Sequence, residues 1–475
     1  MRTRLATCTA ALASLAAHDA AGQAAFEISE DARAFALVEP HAPAGTSARG
    51  VGVPFLLAPD QSVMLRRQIG GLQIADMDGD GNNDLVAVCY ISNSFPPYED
   101  WEDMIFFGNG SGIDTTPAWL STVETHTGDV QVGDLNNDGH TDIVTIHGGG
   151  VRSDSVRVYY GAQGGPSQTP GYTSNVPGRS WGTAGVLADM DNEGDLDLVT
   201  TNQGLTPDPF RPMLMFRNDN GTLTTNSVWQ SSENSIQNGV DARDITGDGF
   251  PDLAVAKWVN FQSGIYFNTT GTPDVDQSVL VGTSGTDRGA QFMDLEGDGL
   301  SEIAIGGSPT RVYQNVHGAL LPFYASDPPF AGPQDLRVFD VDQDGDDDLG
   351  EIMFGDGRAH IYLNRDGVLD TVPTWSFDAP EVGSAMAFGD LNGDNRPDLA
   401  LGYSGNTCIR VFFAQAPDCP ADLAEPLGEL NFFDVVSFIT AFNAMDPIAD
   451  LAEPFGSFNF FDVAAYITAY NAGCP

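Results

Sequence analysis

The stretch "DMDGDGNND", residues 76–84, places four carboxylates and two glycines within nine residues. Like charges at this spacing repel one another, so the chain needs a reason to hold them together. Six later stretches repeat the pattern: "DLNNDGHTD" from 134, "DMDNEGDLD" from 189, "DITGDGFPD" from 244, "DLEGDGLSE" from 294, "DVDQDGDDD" from 340 and "DLNGDNRPD" from 390. In chain order these are loops 1 to 7. A period of about 50 residues is typical of solenoids, propellers or arrays.

Short apolar runs flank the loops and are rich in β-branched residues, as in "LQIAD" before loop 1 and "LVAV" after it. A third run, such as "GIYFNTTG" at 264, follows in each repeat. These runs indicate strands, and a looser fourth strand is expected before the next loop. Four antiparallel strands per repeat predict an all-β fold, a seven-bladed β-propeller over residues 50–416. An open β-solenoid is the alternative.

The seventh repeat stops after its third strand, at Gln415. The stretch "VGVPFLLAP" at 51 has no other assignment. We therefore predict that this stretch supplies the outer strand of the last blade. Such a strand would join the two ends of the ring and protect its edges.

The loops carry oxygen-bearing side chains at positions 1, 3, 5 and 9, and glycine at position 6 in six of the seven. A glycine there permits a sharp turn that directs the preceding side chains toward one centre. A hard cation such as Ca²⁺ takes about six to eight oxygen ligands. Three or four carboxylates and the backbone carbonyl of position 7 meet most of that demand. The spacing therefore predicts calcium-binding hairpin loops with a structural role.

The loops resemble the calcium-binding β-hairpin loop of the FG-GAP (VCBS) repeat family, which builds the propellers of integrin α-subunits. The resemblance implies up to seven Ca²⁺ ions, held by side chains at positions 1, 3, 5 and 9 and by the carbonyl of position 7. The implied ligands are Asp76, Asp78, Asp80, Asn82 and Asp84 in loop 1; Asp134, Asn136, Asp138, His140 and Asp142 in loop 2; Asp189, Asp191, Glu193, Asp195 and Asp197 in loop 3; Asp244, Thr246, Asp248, Phe250 and Asp252 in loop 4; Asp294, Glu296, Asp298, Leu300 and Glu302 in loop 5; Asp340, Asp342, Asp344, Asp346 and Asp348 in loop 6; and Asp390, Asn392, Asp394, Arg396 and Asp398 in loop 7. Three loops depart from the family pattern, through Thr246, the longer Glu302, and Asn395 in place of the turn glycine.

Residues 417–475 contain a different repeat, "ADLAEPLGELNFFDVVSFITAFNA" from 421 and "ADLAEPFGSFNFFDVAAYITAYNA" from 449. Each copy predicts a loop and a helix with one apolar stripe: Val435, Phe438, Ile439 and Phe442 in the first, and Val463, Tyr466, Ile467 and Tyr470 in the second. The pair resembles a dockerin, and the closing "AGCP" resembles GC-type dockerin-like domains. The resemblance implies a cohesin-like or surface-anchoring partner, although a partnerless helical cap is the alternative.

The dockerin-like loops depart from the dockerin pattern, because Ala424, Pro426, Ala452 and Pro454 occupy ligand places. Asp422, Glu425, Asn431 and Asp434 could still hold a weak ion, and this question stays open.

The N-terminus predicts export. Arg2 and Arg4 precede a short apolar run, and small residues near Ala24 fit a cleavage site, so residues 1–24 are predicted to be a signal peptide and 25–49 a linker. No later segment is apolar enough to span a membrane, so a secreted or cell-surface location is expected.

Four cysteines follow the signal: Cys89, Cys408, Cys419 and Cys474. A Cys419–Cys474 disulfide would staple the small C-terminal module, or Cys474 would serve in covalent sorting to the surface. The pairing of Cys89 and Cys408 stays open.

The formal net charge is −46, which argues against nucleic acid and anionic membranes as partners. We expect a non-enzymatic binding or adhesion module for an extracellular protein or glycan. The alternatives are a polysaccharide lyase or hydrolase and a structural surface-layer protein. The histidines after the signal are scattered and no nucleophile motif stands out, so no catalytic residue is predicted.

By analogy with integrins, a partner is expected on the face opposite the acidic loops. Tyr98, Trp101, Trp258 and Phe261 either form a ligand platform there or pack between blades.

Overall fold

The structure is a computed structural model of the 475-residue chain. It describes residues 25–28, 35–38, 53–90, 101–124, 126–148, 156–175, 180–204, 211–258, 261–281, 287–316, 319–326, 332–355, 357–365, 367–415, 421, 430, 432–445, 449, 451 and 458–472. The chain forms two compact units. The propeller unit contains Met1–Arg49 and Leu57–Phe413, and the C-terminal unit contains Gly50–Leu56 and Ala414–Pro475.

The propeller unit consists of short antiparallel strands. A hairpin of β1 (Ala25–Ile28) and β2 (Phe35–Val38) lies in the segment expected to be a linker. The strands up to loop 2 are β3 (Gln61–Val63), β4 (Arg67–Ala75), β5 (Asp84–Cys89), β6 (Met104–Phe106), β7 (Trp119–Leu120) and β8 (Thr127–Gly133). The strands up to loop 4 are β9 (Asp142–His147), β10 (Val156–Tyr159), β11 (Tyr172–Thr173), β12 (Ser180–Ala188), β13 (Asp197–Gly204), β14 (Leu214–Phe216), β15 (Trp229–Gln230) and β16 (Ile236–Arg243). The strands up to loop 6 are β17 (Asp252–Trp258), β18 (Gly264–Tyr266), β19 (Val279–Leu280), β20 (Gly289–Met293), β21 (Glu302–Gly306), β22 (Arg311–Val316), β23 (Ala319–Ala325) and β24 (Pro333–Phe339). The remaining strands are β25 (Asp348–Met353), β26 (Arg358–Tyr362), β27 (Asn364–Arg365), β28 (Val368–Leu369), β29 (Trp375–Asp378), β30 (Val382–Gly389), β31 (Asp398–Gly405) and β32 (Ile409–Phe412).

Five separate four-stranded sheets occur in the described part of the chain: β8 to β11, β12 to β15, β16 to β19, β20 to β23, and β24, β25, β26 and β29. The prediction of seven separate blades is therefore wrong, because the described residues form five. The strands expected to form the first and seventh blades lie in one eight-stranded sheet, ordered β3-β32-β31-β4-β5-β6-β7 with β30 on β31. The two sets join where Ser404 pairs with Gln68 and Gly405 with Arg67. The end of β31 and the start of β4 therefore provide hydrogen-bond partners for each other's backbone N–H and C=O groups.

The first strand of each repeat contacts the first strand of the next, and β30 contacts β4, so these strands form a closed ring. This closure excludes the open solenoid. The ends of the ring are joined by β3 and β32, which pair from Gln61 with Val411 to Val63 with Ile409. The predicted closure by an N-terminal strand is confirmed, but the strand is Gln61–Val63 and not the stretch at 51.

The core lies between neighbouring sheets. Both faces of β5 are buried: Leu85 and Ala87 pack in a cluster with the last repeat, whereas Val86 and Val88 pack in a cluster with the second repeat. A strand covered on both faces needs a continuous apolar run, which explains why the second strands lack a polar alternation. Cys89 and Cys408 are free buried thiols in the first of these clusters.

The C-terminal unit contains two helices, α1 (Phe432–Ala444) and α2 (Phe460–Ala472). They meet where the rings of Phe438 and Tyr466 stack with centroids 3.9 Å apart. Val435, Phe442, Val463 and Tyr470 pack around this pair, as the apolar stripes predict. The prediction is wrong for Ile439 and Ile467, which are 52% and 51% exposed.

Neither helix is long enough and apolar enough to cross a membrane, and the same is true of every helix in the described residues. Asp422, Glu425, Asn431, Cys419, Cys474 and the predicted signal peptide lie outside those residues.

Candidate metal centres

Every acidic loop joins the first and second strands of its repeat, and position 9 begins the second strand. At position 6 the backbone adopts positive φ, for instance 92° at Gly81. Asn395 occupies this place in loop 7 with φ 61°, a conformation that asparagine tolerates better than most residues. The predicted sharp turn is therefore present even where glycine is missing.

A hydrogen-bond scaffold common to all seven loops holds the carboxylates in place. The carboxylate of position 1 accepts the backbone N–H of position 6 at 2.8–3.1 Å, as Asp76 does from Gly81. The carboxylate of position 9 accepts the N–H of position 2 at 2.8–3.1 Å, as Asp84 does from Met77. These bonds hold the backbone of each loop in the same turn.

The carboxylate of position 9 is almost fully buried in every loop. In loops 1 to 6 burial raises the pKa of this carboxyl group, to about 6 for Asp84, about 7 for Asp197 and about 8 for Asp348. Amide donors on two sides, such as Met77 and Gly108 for Asp84, oppose this shift. A nearby divalent cation would stabilise the ionised form that burial disfavours.

Three loops bring three carboxylates together, with ligand atoms within 4.8 Å of one another: Asp76, Asp78 and Asp84 in loop 1; Asp189, Asp191 and Asp197 in loop 3; and Asp340, Asp342 and Asp344 in loop 6. Oxygens of Asp191, Asp195, Asp340 and Asp342 are buried without a hydrogen-bond partner. An Asp191 oxygen lies 2.8 Å from Arg217 Nε, which partly compensates its charge. Unpaired, converging carboxylate oxygens fit a hard cation such as Ca²⁺.

Loops 2, 4, 5 and 7, all within the described residues, do not gather three such carboxylates. Loops 2, 4 and 7 carry Asn136, Thr246 and Asn392 at position 3. In loop 5 the Glu296 carboxylate instead accepts a hydrogen bond of 2.7 Å from Gln314 Nε2. Position 5 is exposed in all seven loops. The departures noted in the sequence of loops 4, 5 and 7 fall in the group without a carboxylate cluster, and loop 2 joins that group although its sequence was not singled out.

Three buried asparagines that the loop pattern does not predict connect neighbouring loops. Asn218, Asn268 and Asn364 lie two residues after the third strands β14, β18 and β26. Each backbone N–H donates to the position-9 Asp of its own repeat at 2.7 Å. Each side-chain amide donates 2.7–2.8 Å to the position-2 carbonyl of the preceding loop. The only sequence signal is the recurrence of Asn shortly after the third strand, and asparagine is also common in local turns.

The aromatic residues expected on the opposite face have separate surroundings. Trp101 lies under the Arg67 guanidinium, with 3.9 Å between the guanidinium carbon and the ring centroid, and packs against the core. Trp258 contacts Arg288. Tyr98 lies outside the described residues.

Comparison with protein families found the FG-GAP-like repeat at residues 76–145 and 340–401. The chain carries FG-GAP-like repeats on a β-propeller. The two matched segments contain loops 1, 2, 6 and 7, and therefore two of the three carboxylate clusters.

Among solved structures, one chain of "Crystal structure of BBS1N in complex with ARL6DN, soaked with mercury" is similar to this protein at a TM-score of 0.52 and 12% identity. The similarity covers 77% of this chain and 98% of that chain, and at this identity it shows the fold alone. A search of curated proteins found no match. FG-GAP-like repeats on a propeller are consistent with a binding module.

Proposed function

We propose that this protein is a secreted, calcium-stabilised binding module whose C-terminal unit attaches it to an extracellular or cell-surface assembly. Calcium binding is supported by the convergence of three carboxylates in each of loops 1, 3 and 6. The role of the ion is structural, because it would neutralise carboxylates that the fold buries at hairpin turns. Loops 2, 4, 5 and 7 are weaker sites that fill at higher calcium concentration.

Calcium occupancy of three strong sites should stabilise the fold strongly. One site at a free calcium concentration of 100 times its Kd contributes about 2.7 kcal/mol, so three contribute on the order of 8 kcal/mol. The propeller spans Leu57–Phe413, roughly 360 residues, and unfolding entropy is about 2 cal/mol/K per residue. Together these values predict a rise in Tm of about 11 °C when calcium is added.

The test counts tightly bound calcium by native mass spectrometry of the purified chain after signal removal. Three ions are expected in the wild type, two in Asp342→Asn, and three in Asp248→Asn, which changes a loop without a carboxylate cluster. The proposal would be refuted if the chain bound no calcium, or if its Tm did not change when calcium was added.

The attachment part is supported by exposed aromatic side chains at matching places in the two C-terminal repeats. Phe432, Phe433, Phe460 and Phe461 are 72%, 64%, 76% and 62% exposed. Aromatic side chains of this size are usually buried or used in recognition. A cohesin-like or surface-anchoring partner is the proposed occupant.

Attachment is tested by retention of the full chain on cell-surface extracts. Phe433→Ser/Phe461→Ser should lose retention, whereas the control Thr468→Ala, an exposed polar position on α2, should keep it. Equal retention of both variants would refute attachment through these residues. The same wells are read for newly released sugar ends, and no release is expected from a binding module. Sugar release would instead support the lyase or hydrolase alternative.

A further inference from the structure

The end of the propeller opposite the acidic loops contains a cavity of about 240 Å³ in the middle of the ring. The loops follow the C-terminal ends of the first strands, whereas this cavity is lined by their N-terminal ends, including Gln68, Thr183, Asn238 and Ser384. The volume equals that of about eight water molecules in the liquid. It suits one small ring or side chain and is too small for a folded segment.

Arg288 is the one charged side chain among the described residues that line this cavity. The chain as a whole has 66 acidic and 20 basic residues, so an uncompensated cation here is unusual. Other arginines, such as Arg337 and Arg410, pair with Asp335 and Glu381 at 3.3 and 2.8 Å. No carboxylate in the described part of the chain lies within ion-pair distance of Arg288.

The Arg288 guanidinium contacts two aromatic rings and an amide but no carboxylate of the described residues. Its central carbon lies 4.9 Å from the ring centroid of Trp258 and 4.4 Å from that of Phe354. One Nη donates a hydrogen bond to Gln334 Oε1. Burial lowers the pKa of this guanidinium below its ordinary value, which reports its partial removal from water. A partly desolvated arginine that is packed between aromatic rings is suited to bidentate recognition of a planar anion.

The rest of the lining supplies neutral donors and acceptors. Gln68, Gln203 and Asn238 contribute amides, and Thr183 and Ser384 contribute hydroxyls. Gln68 Oε1 and Ser384 Oγ are buried without a hydrogen-bond partner. Unpaired polar atoms in a cavity indicate a ligand that also has several hydroxyls. A carboxylate alone would use Arg288 and leave the others unsatisfied.

We propose that this cavity binds the carboxylated sugar unit of an acidic extracellular glycan, with its carboxylate on Arg288 and its hydroxyls on the surrounding amides and hydroxyls. The inference rests on the proposed binding function and names its ligand class. An acidic peptide would satisfy only the arginine, so it is the less favoured ligand.

The test measures binding of sodium glucuronate, glucose and polyglutamate to the full mature chain in calcium by titration calorimetry. Glucuronate should bind, and glucose should bind at least about tenfold more weakly because a charge-assisted bond is lost. Arg288→Gln should weaken glucuronate binding by about tenfold to a hundredfold. The matched control Arg243→Gln, an exposed arginine on β16, should leave it unchanged.

Folding is checked separately, since the calcium-dependent rise in Tm should persist in Arg288→Gln. Phe354→Ala removes one aromatic contact of Arg288 while keeping its charge, and should weaken binding to a smaller extent. Equal binding of glucose and glucuronate, or full binding by Arg288→Gln, would overturn the inference. Arginine-dependent binding of polyglutamate in place of glucuronate would overturn the glycan assignment. A normal calcium response without glucuronate binding would overturn only this inference and leave the proposed function in place.

Discussion

Replacing Asn268 by alanine should destabilise the propeller by about 2–3 kcal/mol, because this side chain connects loops 3 and 4. Its amide donates 2.7 Å to the Met190 carbonyl and 3.2 Å to the Pro251 carbonyl, and the residue is fully buried. The truncation leaves at least one buried carbonyl without its donor. Each such loss costs about 1–3 kcal/mol, whereas the backbone bond from Asn268 to Asp252 survives.

The assay is thermal unfolding of the full chain at fixed, saturating calcium. For roughly 360 residues, an unfolding entropy of about 0.75 kcal/mol/K converts the expected loss into a fall in Tm of about 3–4 °C. The matched control is Asn226→Ala, which removes an exposed asparagine whose bond to Asn175 is 3.2 Å long. This control should shift Tm by less than about 1 °C.

The double variant Asn268→Ala/Asn364→Ala tests the same reasoning, since the two side chains share no partner. Their effects should add to within about 0.5 kcal/mol. A shift for Asn268→Ala no larger than that of Asn226→Ala would refute the claim that these asparagines hold the repeats together.

Three further predictions follow from separate features. Burial raises the pKa of Asp103 to about 7, so above about pH 4 the folded protein keeps a proton that the unfolded chain has lost. The stability of the fold therefore falls as the pH rises from 4 through 7. Asp103→Asn should flatten this dependence in urea midpoints measured across that range. Val63→Asp should place a charge in the core at the ring closure and lower the yield of monomer in size-exclusion chromatography, because β32 would lose its outer partner. Lys257 is buried against Glu233 and Tyr266, so Lys257→Ala should cost about 3 kcal/mol in thermal unfolding, whereas the more exposed Arg396→Ala should cost under about 1.

The repeat, the hairpin loops and the β-propeller could be predicted because they follow from local patterns. Each of these features depends on a short stretch of consecutive residues: the period near 50 residues, the turn at position 6 and the apolar runs around it. The structure contains all three. Even Asn395 was foreseeable, since asparagine tolerates positive φ.

The remaining features depend on contacts between repeats. Ser404 pairs with Gln68, and this pairing merges two expected blades. The two residues are more than 300 positions apart, so no local sequence pattern indicates that they pair. The hydrogen bond from Asn268 to the Met190 carbonyl also joins two repeats, and an asparagine three residues before a glycine fits a local turn equally well. The position of Arg288 beside Trp258 and Phe354 requires three consecutive repeats to pack side by side before the three residues can meet.

The seam formed by β3 and β32 also sets how the ring responds to force. In this antiparallel pair Gln61 faces Val411, so the chain enters β3 and leaves β32 at the same end. Tension between those two segments peels the pairs apart one at a time, and does not shear them all together. A pull on the segments before β3 and after β32 would therefore act directly on this three-residue pair and open it from its Gln61–Val411 end.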